Sequence, residues 1–152
     1  MKRALVSVSV AVIGAVAFAV TPQTAQKADA AGCVRIYEIY YDSPGTDYGT
    51  NTSLNGEWVR LRNVCSTGKS LYHWTLRDAA GHIYTFGSYT LKAYSYVKIH
   101  TGKGTNTSTD RYWGRAAYVW NNDKDTAYLR TSAGTLVYTC SYNSTAVDYK
   151  YC

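Results

Sequence analysis

From residue 34 onward, apolar and polar side chains alternate in short runs. Nowhere do they take up the sustained three-to-four spacing of an amphipathic helix. The runs that read as strands are 34–41 (VRIYEIYY), 57–63 (EWVRLRN), 73–78 (HWTLRD), 82–86 (HIYTF), 95–100 (SYVKIH), 117–120 (AYVW), 126–131 (TAYLRT) and 135–141 (TLVYTCS). Turn chemistry separates them at Pro44-Gly45, Asn55-Gly56, Ala80-Gly81, Asn121-Asn122-Asp123 and Ala133-Gly134. No sizeable helix is expected. Many short strands joined by hairpin turns predict an all-β, two-sheet sandwich in a single domain. The most legible strand is EWVRLRN. Its alternation sends Val59 and Leu61 to the core and Trp58, Arg60 and Arg62 to the opposite face.

The N-terminus follows another rule. Lys2 and Arg3 precede an uncharged, mostly apolar run, Ala4 to Val20, which Thr21-Pro22 breaks. Ala28-Asp29-Ala30 then supplies small residues at the −3 and −1 positions of a cleavage site, so residues 1–30 read as a secretory signal peptide. The run is short beside the ~20 residues of a membrane span, and no span remains after cleavage. The expected mature domain is residues 31–152. Removing Lys2, Arg3, Lys27 and Asp29 from the 16 basic and 10 acidic residues leaves it a net charge of +4. That is enough to attract anionic polymers but too little to mark a dedicated nucleic-acid binder.

All four cysteines follow the cleavage site, and an even count in an exported domain predicts two disulfides. Three pairings exist. Cys33–Cys65 with Cys140–Cys152 is preferred, because Cys33 opens the first strand, Cys65 follows the second, and antiparallel neighbours would bring them together.

Residues 98–114, KIHTGKGTNTSTDRYWG, have the composition of a phosphate-cradling loop. The spacing does not fit. Gly102-Lys103 is followed by Gly104, Val97 stands where the first glycine of such a loop is required, and no helix follows. The stretch reads as a surface connection. Asn121, Asp123 and Asp125 alternate as in a calcium loop, but Thr126 and Ser132 occupy the positions that need glycine and glutamate. A turn whose Asn and Asp side chains bond their own backbone is the preferred reading. His73, His82 and His100 are separated, the only glutamates are Glu38 and Glu57, and no nucleophile motif is present. Three N-x-S/T triplets begin at Asn51, Asn106 and Asn143.

Aromatic residues change the picture more. The chain has sixteen tyrosines and four tryptophans against two phenylalanines. Such rings suit either a core poor in aliphatic residues or a contact surface with a polar edge. Trp74 and Trp120 are expected in the core, and Trp58, beside Arg60 and Arg62, on an exposed contact surface.

In consecutive order, IYEIYYD, NGEWVRLRN, LYHWTLRD, GHIYTF, YTLKAYSYVKIHTGKG, YWG and YVWNNDKDTAYLRTSAGTLV resemble a lamin tail domain, in the form of a bacterial secreted member. The resemblance covers about residues 33–140. It implies an immunoglobulin-like β-sandwich of about eight to nine strands, a role in binding or scaffolding, and no active site. In nuclear lamins the domain contacts proteins and, weakly, DNA. Bacterial relatives are exported, alone or attached to hydrolases and nucleases. This chain departs from lamins in its signal peptide and four cysteines and in having neither coiled-coil rod nor nuclear-targeting run, so a nuclear function does not carry over.

The leading expectation is a secreted, non-enzymatic binding or structural module without a cofactor, acting in the medium or at the cell wall. Its partner would be a protein, a wall glycan or an anionic polymer, engaged through Trp58. The alternative is a binder of extracellular DNA or anionic wall polymer through Arg60, Arg62, Arg77, Lys98 and Lys103. A second alternative is a metal-dependent hydrolase using Asp123 and Asp125.

Overall fold

A computed structural model describes residues 32–152; the expected signal peptide, residues 1–30, lies outside the described residues. The strands are β1 (Val34–Tyr40), β2 (Trp58–Asn63), β3 (Lys69–Ser70), β4 (Thr75–Arg77), β5 (Ile83–Thr85), β6 (Thr90–Leu91), β7 (Tyr96–His100), β8 (Asp110–Tyr112), β9 (Lys124–Arg130), β10 (Leu136–Asn143) and β11 (Tyr149–Tyr151). A short helix, α1 (Asn51–Gly56), precedes β2. Its first turn is capped by the Thr50 hydroxyl, which accepts from Ser53 N–H at 3.2 Å. No helix among the described residues is long and apolar enough to cross a membrane.

The strands form a five-stranded sheet, β11-β1-β2-β7-β8, a four-stranded sheet, β10-β9-β4-β5, and a β3–β6 ribbon. Pairing is antiparallel except between β7 and β8, which run parallel. The β-sandwich read from the alternation is present. Val34, Ile36, Ile39, Val59, Leu61, Val97 and Ile99 line the inner face of the larger sheet. Leu76, Ala127, Leu129, Cys140 and Tyr142 come from the smaller, and all belong to one buried cluster. Trp120 and Trp74, at 1% and 8% exposure, sit in that cluster as expected.

Seven of the eight expected strands have counterparts, and 117–120 does not. Val119 N–H donates to a Glu57 carboxylate oxygen at 2.9 Å instead of to a neighbouring strand. The strands absent from the expectation, β3, β6, β8 and β11, have two or three residues each, too few to show alternation.

Disulfides join Cys33 to Cys65 and Cys140 to Cys152. The first ties the start of β1 to the end of β2. There, the buried Asn63 side chain donates to the carbonyls of Thr67, Leu91 and Lys92 and accepts from Cys65 N–H. The second ties the end of β11 to β10 of the smaller sheet, while β11 pairs with β1, Tyr149 opposite Tyr40, Lys150 opposite Ile39 and Tyr151 opposite Glu38. Several tyrosines close backbone carbonyls at the sandwich margins. Tyr41 and Tyr142 stack at 3.9 Å between centroids and donate to Ser144 O and Asn121 O respectively.

Candidate binding face

The outer face of the five-stranded sheet carries two ordered rows. Cross-strand register aligns Tyr149, Tyr40, Trp58, His100 and Tyr112, one aromatic ring from each strand. Next to it run Tyr151, Glu38, Arg60, Lys98 and Asp110. A third, shorter row places Arg35 opposite Arg62 and Arg62 opposite Tyr96. A β-bulge between Ile36 and Glu38 adds Tyr37 to this surface.

The rings stand side by side. Tyr40 lies near-parallel to Trp58 (5.3 Å, 24°) and to Tyr149 (6.1 Å, 18°), and His100 to Tyr112 (5.0 Å, 17°). These separations are close to the strand spacing, so each ring covers its neighbour's face and turns an edge outward. Cations take up further ring faces. The Lys98 ammonium is 4.1 Å from the Trp58 centroid, and the Arg60 and Arg62 guanidinium groups each lie 5.3 Å from the Tyr96 centroid. Trp58 is therefore half-buried within the lattice instead of freely exposed.

Charge on this face is not balanced. Arg60 pairs with Glu38, and His100 Nε2 with Asp110 Oδ1 at 2.9 Å. Among the described residues, Arg35, Arg62 and Lys98 have no carboxylate within ion-pair distance. The buried Nε of Arg62 has no hydrogen-bond partner, and Arg35 and Arg62 face each other directly, a like-charge arrangement that disfavours the folded sheet. A shallow depression between β2, β7 and β8 is lined by Arg60, Tyr96, Lys98, Thr109 and Asp110.

Of the residues singled out in the sequence, Trp58, Arg60, Arg62 and Lys98 come together here. Arg77 does not: it lies on β4 of the other sheet, in register with Tyr128. Lys103 is exposed on the connection beyond β7. Sequence reasoning missed Arg35, although its parity in VRIYEIYY, opposite to Val34 and Ile36, carried the signal.

The glycine-rich connection has its hydrogen-bonding groups engaged within the fold. Asn51 and Asn55 of α1 each donate to Lys103 O at 2.9 Å, and Lys103 N–H donates back to Asn51 Oδ1 at 2.7 Å. Thr101 N–H donates to Glu57 O at 3.1 Å. Gly104 lies against the Tyr112 ring, where an added Cβ would come within 2.3 Å of Cε1. Gly104→Ala is therefore expected to expel Tyr112 from the aromatic row and destabilise the domain by about 1–3 kcal/mol. Urea unfolding checks this. In a Tyr112→Ala background the same change should cost little, and additive effects would show that Tyr112 is not what meets the new methyl group.

The acidic turn is likewise tied into the fold. Asp125 Oδ1 accepts from the backbone N–H of Ala79 and Thr126, and Oδ2 from Asn121 N and Nδ2. Asp123 Oδ1 accepts from Lys124 N–H at 2.8 Å. His82 Nδ1 and Asp78 Oδ2, 2.5 Å apart, belong to the β4–β5 turn, where Asp78 Oδ1 also accepts from Gly81 and His82 N–H.

Two facing sheets, one disulfide joining β1 to β2 and one joining β10 to the end of β11, define a module of the immunoglobulin-like type. The model of the Lamin Tail Domain family matches residues 27–144, and the chain belongs to that family of structural and binding modules. Comparison with curated proteins returned no match.

Proposed function

We propose that this chain is a secreted, non-enzymatic binding module that holds an anionic polymer of the cell envelope against the outer face of its five-stranded sheet. The observation that carries the reading is the set of three unneutralised cations, Arg35, Arg62 and Lys98, on one ordered face. Phosphate or carboxylate groups spaced along a polymer would neutralise them and relieve the Arg35–Arg62 opposition. Stacking of a neutral glycan requires open ring faces, and here neighbouring rings and cations cover them. Two disulfides and the leader-like residues 1–30 support action outside the cell.

Co-sedimentation of residues 31–152 with purified wall material tests this at low and high salt. Binding is expected to fall steeply with salt. Arg62→Ala combined with Lys98→Ala should weaken it by roughly tenfold or more and lower the salt slope by about two. Binding that survives high salt and is lost in Trp58→Ala would replace the polyanion with a stacked glycan. Absence of binding at both salts would overturn the reading.

A further inference from the structure

His100 sits where the aromatic row, helix α1 and edge strand β8 meet. Its Nδ1 is 2.9 Å from the backbone carbonyl of Asn55, and its Nε2 is 2.9 Å from Asp110 Oδ1. Both partners only accept hydrogen bonds. A neutral imidazole has one N–H, so it satisfies one of them and turns a lone pair toward the other oxygen; only imidazolium donates to both. Asp110 is otherwise bonded by the Thr109 hydroxyl at Oδ2, 2.7 Å away. Burial works to raise the Asp110 pKa, but the bonds from His100 and Thr109 outweigh it and leave the carboxyl below its ordinary value.

Asp110 also lines the depression that holds Arg60, Lys98 and Thr109. An anion entering that depression meets Lys98, Arg60 with its paired Glu38, and the Asp110 carboxylate, which receives a charged hydrogen bond from His100 only while the ring is protonated. The surrounding groups can be placed element by element. β7 contributes Lys98, two residues before His100 on the same face, and β8 contributes Asp110 and Tyr112. β2 contributes uncharged Trp58 opposite His100, with Arg60 one row along. α1 contains no charged residue. On the inner face, Thr101 is bonded to the buried carboxyl of Glu57.

We propose that this depression is an anion subsite for one phosphate or carboxylate of the polymer, and that proton loss from His100 weakens it. The inference rests on the reading of the face as a polyanion binder. When His100 gives up its proton, Asp110 keeps only the Thr109 bond and the nearby Lys98 charge, and the subsite becomes less positive by one charge. One of the two His100 hydrogen bonds breaks at the same time. The three-residue strand β8 or the end of α1 then loses an anchor.

Two measurements on the intact domain test the switch. Nitrogen-15 NMR of the His100 ring across a pH titration should show both nitrogens protonated at the acid end and one at the alkaline end. Amide protection in β8 or at the end of α1 should fall in the same interval. A neutral ring at the acid end, or protection that ignores the transition, would overturn the proposal without reference to any ligand. Inorganic polyphosphate is the binding probe. Its affinity should drop roughly three- to tenfold across the His100 transition, the scale of one exposed charge interaction. His100→Gln should remove the step, and Glu57→Gln should keep it. A step that persists in His100→Gln, or vanishes in Glu57→Gln, assigns the titration elsewhere and overturns it. If polyphosphate does not bind at any pH, the polyanion reading and the subsite both fall, and the NMR result alone decides whether His100 clasps the edge.

Discussion

Glu57→Gln is expected to stabilise the domain at pH 8 and to give no such gain at pH 4.5, with the two differences separated by about 3 kcal/mol. Glu57 is fully buried at the junction of α1 and β2. One carboxyl oxygen accepts from the Thr101 hydroxyl and from Val119 N–H; the other, Oε2, has no partner. Burial pushes its pKa up to about 7 from an ordinary 4.5, against the opposing pull of the Thr101 and Val119 bonds. A folded pKa above the unfolded one means that the native state holds its proton more tightly. The carboxyl's stabilising contribution is therefore complete below about 4.5 and is lost as pH rises through about 7. Glutamine keeps the accepting oxygen and cannot ionise. Urea unfolding of both proteins at both pH values isolates the effect, since other titrating groups cancel in the difference. A difference independent of pH would mean that Glu57 does not change charge in this interval.

Replacing Cys33 and Cys65 by serine is expected to cost about 3–4 kcal/mol, seen in calorimetry as a fall in Tm of roughly 10–20 °C. The cysteines are 32 residues apart in sequence, so the crosslink closes a long loop and restricts the unfolded chain strongly. In the folded state it holds β1 against β2, the central pair of the larger sheet, next to the buried Asn63 that collects three backbone carbonyls. Losing the Cys140–Cys152 bond, which spans 12 residues, should cost less globally and act locally on β11. Hydrogen exchange would then speed up in Tyr149–Tyr151 while β2 and β7 stay protected. A Tm unchanged within a few degrees in the Cys33/Cys65 variant would show that sheet packing alone holds β1 to β2.

What the sequence disclosed, and what it did not, follows from the range of the interactions. Long antiparallel strands announce themselves by parity: Val59 and Leu61 against Trp58 and Arg60 appear in the letters and in the burial alike. Strand β8 could not be seen, because Asp110-Arg111-Tyr112 lies in a Thr-, Ser- and Gly-rich stretch and is extended only because β7 runs beside it. The 117–120 stretch looked like a strand, but its Val119 N–H is held by a side chain 62 residues earlier. The candidate face was legible one strand at a time. Trp58, Arg60 and Arg62 shared a parity, but the register that adds Lys98 and Arg35 and excludes Arg77 is set between strands, not within any of them. The glycines of the 98–114 stretch were recognisable as architecture because they failed the phosphate spacing. That Gly104 is needed to seat Tyr112 emerged only from the packing.

Lys150 lies at the middle of the edge strand β11, between two exposed tyrosines, in a strand whose outer backbone groups have no neighbour within the sheet. An antiparallel copy pairing about Lys150 would bring two ammonium groups opposite each other at the seam, where like charges oppose pairing. One positive charge thus lets the molecule carry a tyrosine-rich open edge without its sheets growing from one molecule into the next.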